Sequence, residues 1–537
     1  CAAAVLAGLG RVLPAAGSRR TLLGTFAALA CFSFLLMIPR IHPLALFALA
    51  AGVGLQAGRW LADRPAAVRR WARATTLPLA ALILAAAAVV NVRFMLRDRA
   101  SLHPAVAAPA GAPNVLLIIW DTVRSASLSL YGYERPTSTF LSEFARTGVV
   151  FDWAFTTAPW TLAAHGSLFT GHYPFDLTAG WDVPLDGRHA TLAEELAARG
   201  FATGGFNANH IFGPAEYGLG RGFGHYEARP LSVGRVLTAS PVLEQLFHVY
   251  RHRFDPDLVL HEWSGENVAA SFWRWRERVG ARPYFAFLNF FDAHEPYTPP
   301  APFDTLFGRP DVRRVIVDRR PTDGEVRDLR DAYDGAIAYL DDQLRQLIGE
   351  LERRGELDRT LIIIASDHGE HLGEHGLLDH GNTLYSPLLR VPLVIRMPGR
   401  VPADRRIQHA ISLRDLPRTV FDLVGVRPAV DFPGRSLARF WTGDGAAVAG
   451  DTVLAQVPFA PGQPDWYPLA AGDIRSVLLW PLQLIVDGRG EEQVFDLAED
   501  PAGLRDIAAQ VAPGDLERLR AALAAFPARA RVENAAR

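Results

Sequence analysis

The sequence predicts an α/β fold: a mixed, mostly parallel sheet sandwiched by helices, with transmembrane helices before it and a small α+β lobe after it. Three observations predict this. Short, continuous apolar runs alternate with amphipathic helical stretches from residue 114 to residue 424, the pattern of parallel strands joined by crossover helices. Polar residues follow the ends of several of these runs at once, where open α/β sheets collect their ligands. The first hundred residues hold three apolar stretches without Asp, Glu, Lys or Arg, each about long enough to cross a bilayer.

The chain has 537 residues and a net charge of -2. Its length suits three or four domain-sized pieces, or one large α/β domain with additions, and the near-neutral balance gives no reason to expect a nucleic-acid partner. Cys1 and Cys31 are the only cysteines and both lie in the apolar N-terminal part. Neither a disulfide framework nor a cysteine-based zinc site is then open to the remainder. Cys1 rather than Met heads an apolar run, which points to a truncated N-terminus.

The candidate spans are residues 21–38, 41–58 and 75–92. Arg19 and Arg20 precede the first. Arg59, Arg64, Arg69, Arg70 and Arg73 separate the second from the third, whereas the turn at 39–42 carries only Arg40. The positive-inside rule puts the arginine-rich segments in the cytoplasm. Everything after about Asp98 is then extracytoplasmic, against which Arg93, Arg97 and Arg99 count. Trp60 and Trp71 stand where interfacial anchors belong. The Pro- and Ala-rich stretch 101–112 reads as a linker.

Beyond it, 114–120 (Asn-Val-Leu-Leu-Ile-Ile-Trp) reads as a strand buried on both faces, ending in Asp121-Thr122. Residues 137–147 read as a helix and 149–155 as a short strand. A loop with Pro159 and Trp160 then runs into a small-residue helix over 162–169, with Thr161 as N-cap and Gly171 as stop. Residues 191–199 form an amphipathic helix, and the strand 201–206 leads to Asn207-Ala208-Asn209-His210. The segment 227–280 reads as an insertion, with 272–275 in a peripheral helix. The strand 284–291 leads to Asp292-Ala293-His294, after which Pro296, Pro299 and Pro300 prevent a regular element. A long amphipathic helix over 326–351 precedes the strand 360–365, which ends in Ser366-Asp367-His368-Gly369-Glu370. His371, Glu374, His375, Asp379 and His380 follow in a Gly-punctuated loop too polar for a packed core. A strand over 388–397 and a helix over 411–424 come next. Antiparallel strands over 474–486 and 493–497 and a helix over 516–526 make the C-terminal lobe.

Asp121, Asn209, His294 and Asp367-His368 thus follow four strands, and Thr161 stands at a helix N-terminus. Singly, such residues cap helices and turns or serve as plain hydrogen-bonding groups. A parallel sheet brings them to one edge. Asp121, Asp367 and His368 then suit one divalent cation, Mn2+ or Zn2+ ahead of Ca2+, which stays open. Thr161 would be a further ligand, and coordination makes a hydroxyl a usable nucleophile near neutral pH. His294 and His380 are candidates for binding substrate oxygens or protonating a leaving group, with Asn209 assisting.

Short motifs recur in order along the soluble part: Pro-Asn-Val-Leu-Leu-Ile-Ile-Trp-Asp at 113–121, Tyr-Gly-Tyr at 131–133, Leu-Phe-Thr-Gly at 168–171, His-Glu-Pro-Tyr at 294–297, Ser-Asp-His-Gly-Glu at 366–370, His-Gly-Asn-Thr-Leu-Tyr at 380–385, Leu-Arg-Val-Pro-Leu-Val-Ile-Arg at 389–396 and Phe-Asp-Leu-Ala-Glu-Asp-Pro at 495–501. Together they resemble the sulfatase family of the alkaline phosphatase superfamily, from Pro113 to about Ala508. That family's nucleophile is a Cys or Ser oxidised to formylglycine, with Pro two residues on and Arg four residues on. The matching residues here are Thr161, Ala163 and His165. Threonine cannot undergo that conversion, so no formylglycine is expected, and the resemblance puts His165 in a substrate-binding place. A Thr nucleophile is similar to that of membrane-bound phosphotransferases of the superfamily, including lipoteichoic-acid synthases and lipid A phosphoethanolamine transferases. The set Asp121, Thr161, Asp367, His368 resembles their metal ligands and those of phosphonate monoester and phosphodiester hydrolases. The family's second Asp after the first strand is Thr122 here, and its usual Lys is His380.

The expected molecule is a multi-pass membrane protein with an extracytoplasmic catalytic domain. It comprises a transmembrane region (1–100), a linker (101–112), a sulfatase-like catalytic domain (113–445) and a C-terminal subdomain (446–537). Its expected activity is metal-dependent hydrolysis of phosphate or sulfate esters through Thr161, on a substrate that is lipid- or glycan-linked. A phosphotransferase using the same site, and a non-catalytic glycan- or lipid-binding domain, are the alternatives.

Overall fold

The computed structural model describes residues 18–36, 43–102, 106–228, 263–310, 319–442 and 451–525. The readings made of the N-terminal run, of the turn at 39–42 and of most of the 227–280 insertion lie outside them. The chain divides into two compact units, one holding the N-terminal helices up to Leu96 and the other beginning at Arg97.

The first unit contains helices Arg19–Leu36 and Pro43–Ala62, followed by Pro65–Ser101. The first two approach closely through glycines: a Cβ on Gly54 would lie 2.6 Å from the Ala28 Cβ and from the Gly24 carbonyl oxygen. Two helices are long and apolar enough to cross a membrane by length and composition, through Ala45–Ala62 and Pro65–Val89. The first predicted span is helical over Arg19–Leu36 but is not one of these two. The third helix runs past the predicted end at 92, so Arg93 and Arg99 are helical and Ser101 is its last residue rather than the start of a linker.

The second unit is built on strands β1 (Asn114–Trp120), β2 (Val149–Phe155), β3 (Ala202–Asn207), β4 (His225–Glu227), β5 (Tyr284–Phe290) and β6 (Thr360–Ala365), a small hairpin of β7 (His371–Leu372) and β8 (Leu378–Asp379), and then β9 (Arg390–Val391), β10 (Leu393–Arg396) and β11 (Arg405–Ser412). Among the described residues the main sheet has the order β11-β2-β10-β6-β1-β5-β3-β4, with β9 paired to β2. β1 is central and parallel to both β5 and β6. β10 runs against both β6 and β2, which leaves β2 parallel to β6. The carboxyl ends of β1, β2, β3, β5 and β6 therefore share one edge.

Every residue of β1 is buried, and successive side chains serve opposite faces, as the two-residue period of a strand requires. Leu116, Ile118 and Trp120 join one core with Tyr333, Ile337, Leu340, Leu344 and Leu347 of the long helix Asp323–Arg353. Val115, Leu117 and Ile119 join the other, with residues of helices Thr161–Thr170 and Leu416–Val424. Each fully buried Leu, Ile or Phe contributes roughly 1.5–3 kcal/mol. The long helix starts on a capping box between Thr322 and Glu325.

Three elements differ from expectation. The run 388–397 is no single strand: Ser386–Leu389 is a short helix, and Pro392 separates β9 from β10. Ile411 and Ser412 end β11, and the helix begins only at Leu416. The aromatic stretch 272–275 belongs to helix Gly265–Val279, whose Phe272 and Trp275 are fully buried against the sheet, so the helix is a core element rather than a peripheral one. The C-terminal lobe is a four-stranded antiparallel sheet of β12 (Val453–Val457), β13 (Ile474–Leu479), β14 (Leu482–Val486) and β15 (Glu492–Asp496), covered by helix Pro513–Ala524. Its first strand is additional to those read from the sequence.

Candidate active site

Thr161 follows β2 across a short loop. Trp160, not Thr161, is the N-cap: its backbone is extended and makes no side-chain cap bond, and Thr161 is the first helical residue. Gly171 ends the helix with φ 73°, a conformation that suits glycine. The Thr161 hydroxyl is therefore not spent on capping. It accepts from Asn209 Nδ2 at 3.1 Å and lies 3.3 Å from His368 Nε2. The His368 Nδ1 lies 3.0 Å from the Gly369 carbonyl, which can only accept, so Nδ1 carries the proton and Nε2 presents its lone pair.

Asp121 leaves β1 beside these groups. Its Oδ2 accepts from Asn209 at 3.0 Å and from Asn289 at 3.1 Å. Asp367 Oδ1 accepts from the backbone N–H of His368 at 2.9 Å and of Thr122 at 3.3 Å. The second oxygens, Asp121 Oδ1 and Asp367 Oδ2, are buried without a hydrogen-bond partner. They lie 3.8 and 3.4 Å from His368 Nε2. Buried polar atoms are seldom left unpaired, and an uncompensated buried carboxylate costs several kcal/mol. Burial, and then Asp367, push the Asp121 carboxyl up to about 6, while burial, and then His380, take His368 down to about 3. Two carboxylate oxygens and an imidazole lone pair converging with no proton among them fit a divalent cation, and the Asp121, Asp367 and His368 donor atoms all lie within 4.8 Å of one another.

Thr122 occupies the place after Asp121 with φ 64°, a strained conformation for a β-branched residue, at a cost of order 1–3 kcal/mol. Its Oγ1 lies 2.7 Å from the Ala293 carbonyl, its own carbonyl accepts from Tyr333 at 2.8 Å, and its N–H holds Asp367. The strain is thus held by bonds that tie the end of β1 to the His294 loop and to Asp367.

A second group adjoins the first. His380 packs 4.5 Å from the His368 ring, and His294 meets His380 edge-on at 4.9 Å. His380 Nδ1 lies 3.2 Å from Glu370 Oε1 and 3.0 Å from Asp379 Oδ1. Burial opposes a charge on His380, but Glu370 and Asp379 hold its pKa well above the usual value. Burial and His380 take His294 well below it. A cleft of about 630 Å³ opens beside Asp379, lined by Gln463, Pro464, Asp465, Trp466 and Tyr467.

Of the residues singled out in the sequence, Asp121, Thr161, Asn209, Asp367 and His368 form one connected cluster, and His294 and His380 flank it. His165 is fully buried behind them, with Nδ1 2.9 Å from the Thr161 carbonyl and 3.4 Å from Asp367 Oδ2, and with Phe169 and Phe287 edge-on to its ring. Asn289, Asn207 and Thr122 were not foreseen. Asn289 sits inside an apolar strand, and that lone polar residue was the available signal. Asn207 Oδ1 accepts from Asn289 and from the Asn209 backbone, fixing both amides that hold Asp121.

The family model described as Sulfatase matches residues 113–426. The chain is similar to an arylsulfatase of Clostridium perfringens (strain 13 / Type A), 22% identical over 74% of this chain and 90% of that protein. It is also similar to a choline-sulfatase of Rhizobium meliloti (strain 1021), 25% identical over 74% of this chain and 83% of the other. Among solved structures it superposes on the phosphonate monoester hydrolase of Agrobacterium radiobacter with a TM-score of 0.61 and 23% identity, covering 77% of this chain and 96% of that one.

Proposed function

Because the chain belongs to the sulfatase family of ester hydrolases, we propose that it hydrolyses phosphate esters, and sulfate esters less readily, by attack of the Thr161 hydroxyl. The observation that carries this is Thr161 at a helix N-terminus, between Asn209 and His368, and beside two carboxylate oxygens that lack any donor. Asp121, Asp367, His368 and Thr161 would hold a divalent cation, Mn2+ or Zn2+ before Ca2+, which would acidify the hydroxyl and offset charge on the substrate. Asn209 orients the attacking oxygen and Asp121 together. His165, whose Nδ1–H donates to the Thr161 carbonyl, braces the start of the helix rather than touching substrate. His294 and His380 face the substrate side, where they contact substrate oxygens. Thr161 Oγ1 forms the bond to phosphorus as the P–O bond to the ester oxygen breaks, its proton passing to the departing alkoxide; water then attacks phosphorus, breaks the Oγ1–P bond and returns a proton to Thr161. The cleft beside Asp379 receives the leaving alcohol.

The same covalent step serves a phosphotransferase if an acceptor alcohol replaces water. The apolar N-terminal helices support that second reading, since they suit a membrane enzyme whose catalytic unit lies outside the cytoplasm and whose substrate is lipid- or glycan-linked. Purified protein supplied with Mn2+ or Zn2+ should turn over aryl phosphodiesters, and Thr161→Ala should remove that turnover. Turnover unchanged in the variant would sink the nucleophile assignment. A wild type that binds neither metal nor turns over any ester would leave only a glycan- or lipid-binding role.

A further inference from the structure

We propose that Glu370, Asp379 and His380 bind a second divalent cation next to the Asp121, Asp367 and His368 site. The hairpin of β7 and β8 creates the cluster. Its antiparallel register pairs His371 with Asp379, which sets Glu370 opposite His380. Asp379 adopts φ 68°, a left-handed conformation that aspartate tolerates better than most residues.

The spacing fits an ion. His380 Nδ1 lies 3.2 Å from Glu370 Oε1 and 3.0 Å from Asp379 Oδ1. Ligands bonded at 2.0–2.2 Å to one metal stand about 3–3.5 Å apart. One N–H cannot point at two carboxylates, whereas an ion between the three donors serves all of them. Glu370 is fully buried, and its other oxygen, Oε2, has no hydrogen-bond partner. His294 gives its Nδ1 proton to the Glu295 carbonyl at 3.0 Å, leaving Nε2 with a lone pair beside His380.

Charge makes the stronger case. Asp121, Asp367, Glu370 and Asp379 meet through the adjacent, mutually tilted rings of His368 and His380. The chain contains no lysine. Among the described residues, no arginine forms an ion pair with any of these four carboxylates; their charged neighbours are histidines. One divalent ion offsets two carboxylates, and a proton on His380 offsets one more. A buried carboxylate left uncompensated is costly, so a second ion in place of that proton neutralises the site before an anionic substrate arrives. Two carboxylates and an imidazole suit Zn2+ or Mn2+.

The test is metal stoichiometry, which needs no substrate. Full-length protein in detergent would be equilibrated with excess Zn2+, separated from free ion and measured by mass spectrometry. Two ions per chain are expected in the wild type, and one in Asp379→Asn, whose side chain is partly exposed and does not threaten folding. Glu370→Gln should also hold one, and so should Asp367→Asn. One ion in the wild type, retained by Asp379→Asn and lost in Asp367→Asn, would overturn the second site and leave the first standing. No ion in the wild type would overturn both.

Discussion

Asn209 makes the most economical use of one side chain in the site. A single amide nitrogen donates to Asp121 at 3.0 Å and to Thr161 at 3.1 Å, so the metal-facing carboxylate and the attacking oxygen are set by the same group. Asn209→Asp keeps the shape but removes both donations and adds a charge. We expect kcat/KM to fall about 10- to 100-fold, the usual effect of losing a group that orients a metal ligand. Thr161→Ser should retain turnover where Thr161→Ala does not, because only the hydroxyl enters the bond-forming step. A serine variant as inactive as the alanine one would point away from nucleophilic attack. Protons compete with the ion at Asp121. Its carboxyl, raised to about 6 by burial and then by Asp367, stabilises the metal-free fold fully below the ordinary 3.8, and this contribution is lost as pH rises through 6. Zn2+ should therefore raise Tm more at pH 7.5 than at pH 5, and an equal increment at both would contradict that linkage. Asp121, Asp367 and His368 were legible because each follows an unmistakable strand. Asn289 and Asn207 were not, since a strand's apolar run hides which of its ends carries a useful amide. The pairing of Glu370 with His380 needed a hairpin of two-residue strands, too short to leave any period in the sequence.

At the level of elements, β1, β2 and β6 matched their readings residue for residue, because strands buried on both faces have no competing periodicity. Misreadings arose where one apolar run serves two elements. Pro392 has no N–H to give to a ladder, so it divides β9 from β10. The apolar run from 411 changes from β11 to helix at Leu413–Asp415, a single 3-10 turn. That junction holds a testable charge pair. Burial, and then the nearby Asp451, push the Asp415 carboxyl up to about 7. A carboxyl with a raised pKa adds stability that is complete below its unfolded value and disappears as pH climbs through the folded one. The Asp415 Oδ1 accepts the Arg435 backbone N–H at 3.0 Å, a bond that an asparagine oxygen can keep. Asp415→Asn should thus lose less Tm than the wild type between pH 5 and pH 8. If both proteins lose the same amount, the repulsion between Asp415 and Asp451 does not limit stability.

The molecule as a whole joins an ester-hydrolase domain to helices that water would not tolerate alone. On helix Pro65–Ser101, Leu77, Leu82, Ile83 and Leu84 are each more than 60% exposed, and none of its apolar window is buried in the protein. At roughly 25 cal/mol per Å² of apolar surface, a row of such side chains left in water forgoes several kcal/mol that lipid would supply. The arginines bear on direction more than on depth. Arg59, Arg64, Arg69, Arg70 and Arg73 cluster between the predicted spans 41–58 and 75–92, and such clusters favour the cytoplasmic side. This supports the proposed topology, with everything after about Asp98 outside the cytoplasm. With Cys1 and Cys31 as the only natural cysteines, both replaceable by serine, single cysteines can report this. Glu517→Cys, on an exposed turn of the C-terminal helix, should react in intact cells with a maleimide that cannot cross membranes. Arg69→Cys, between the predicted spans 41–58 and 75–92, should react only after lysis. The opposite pattern would put the catalytic unit in the cytoplasm, and reaction of both sites in intact cells would mean that the helices do not span. Either result would also remove the reason for reading the substrate as lipid- or glycan-linked material outside the cell membrane, while leaving the chemistry at Thr161 untouched.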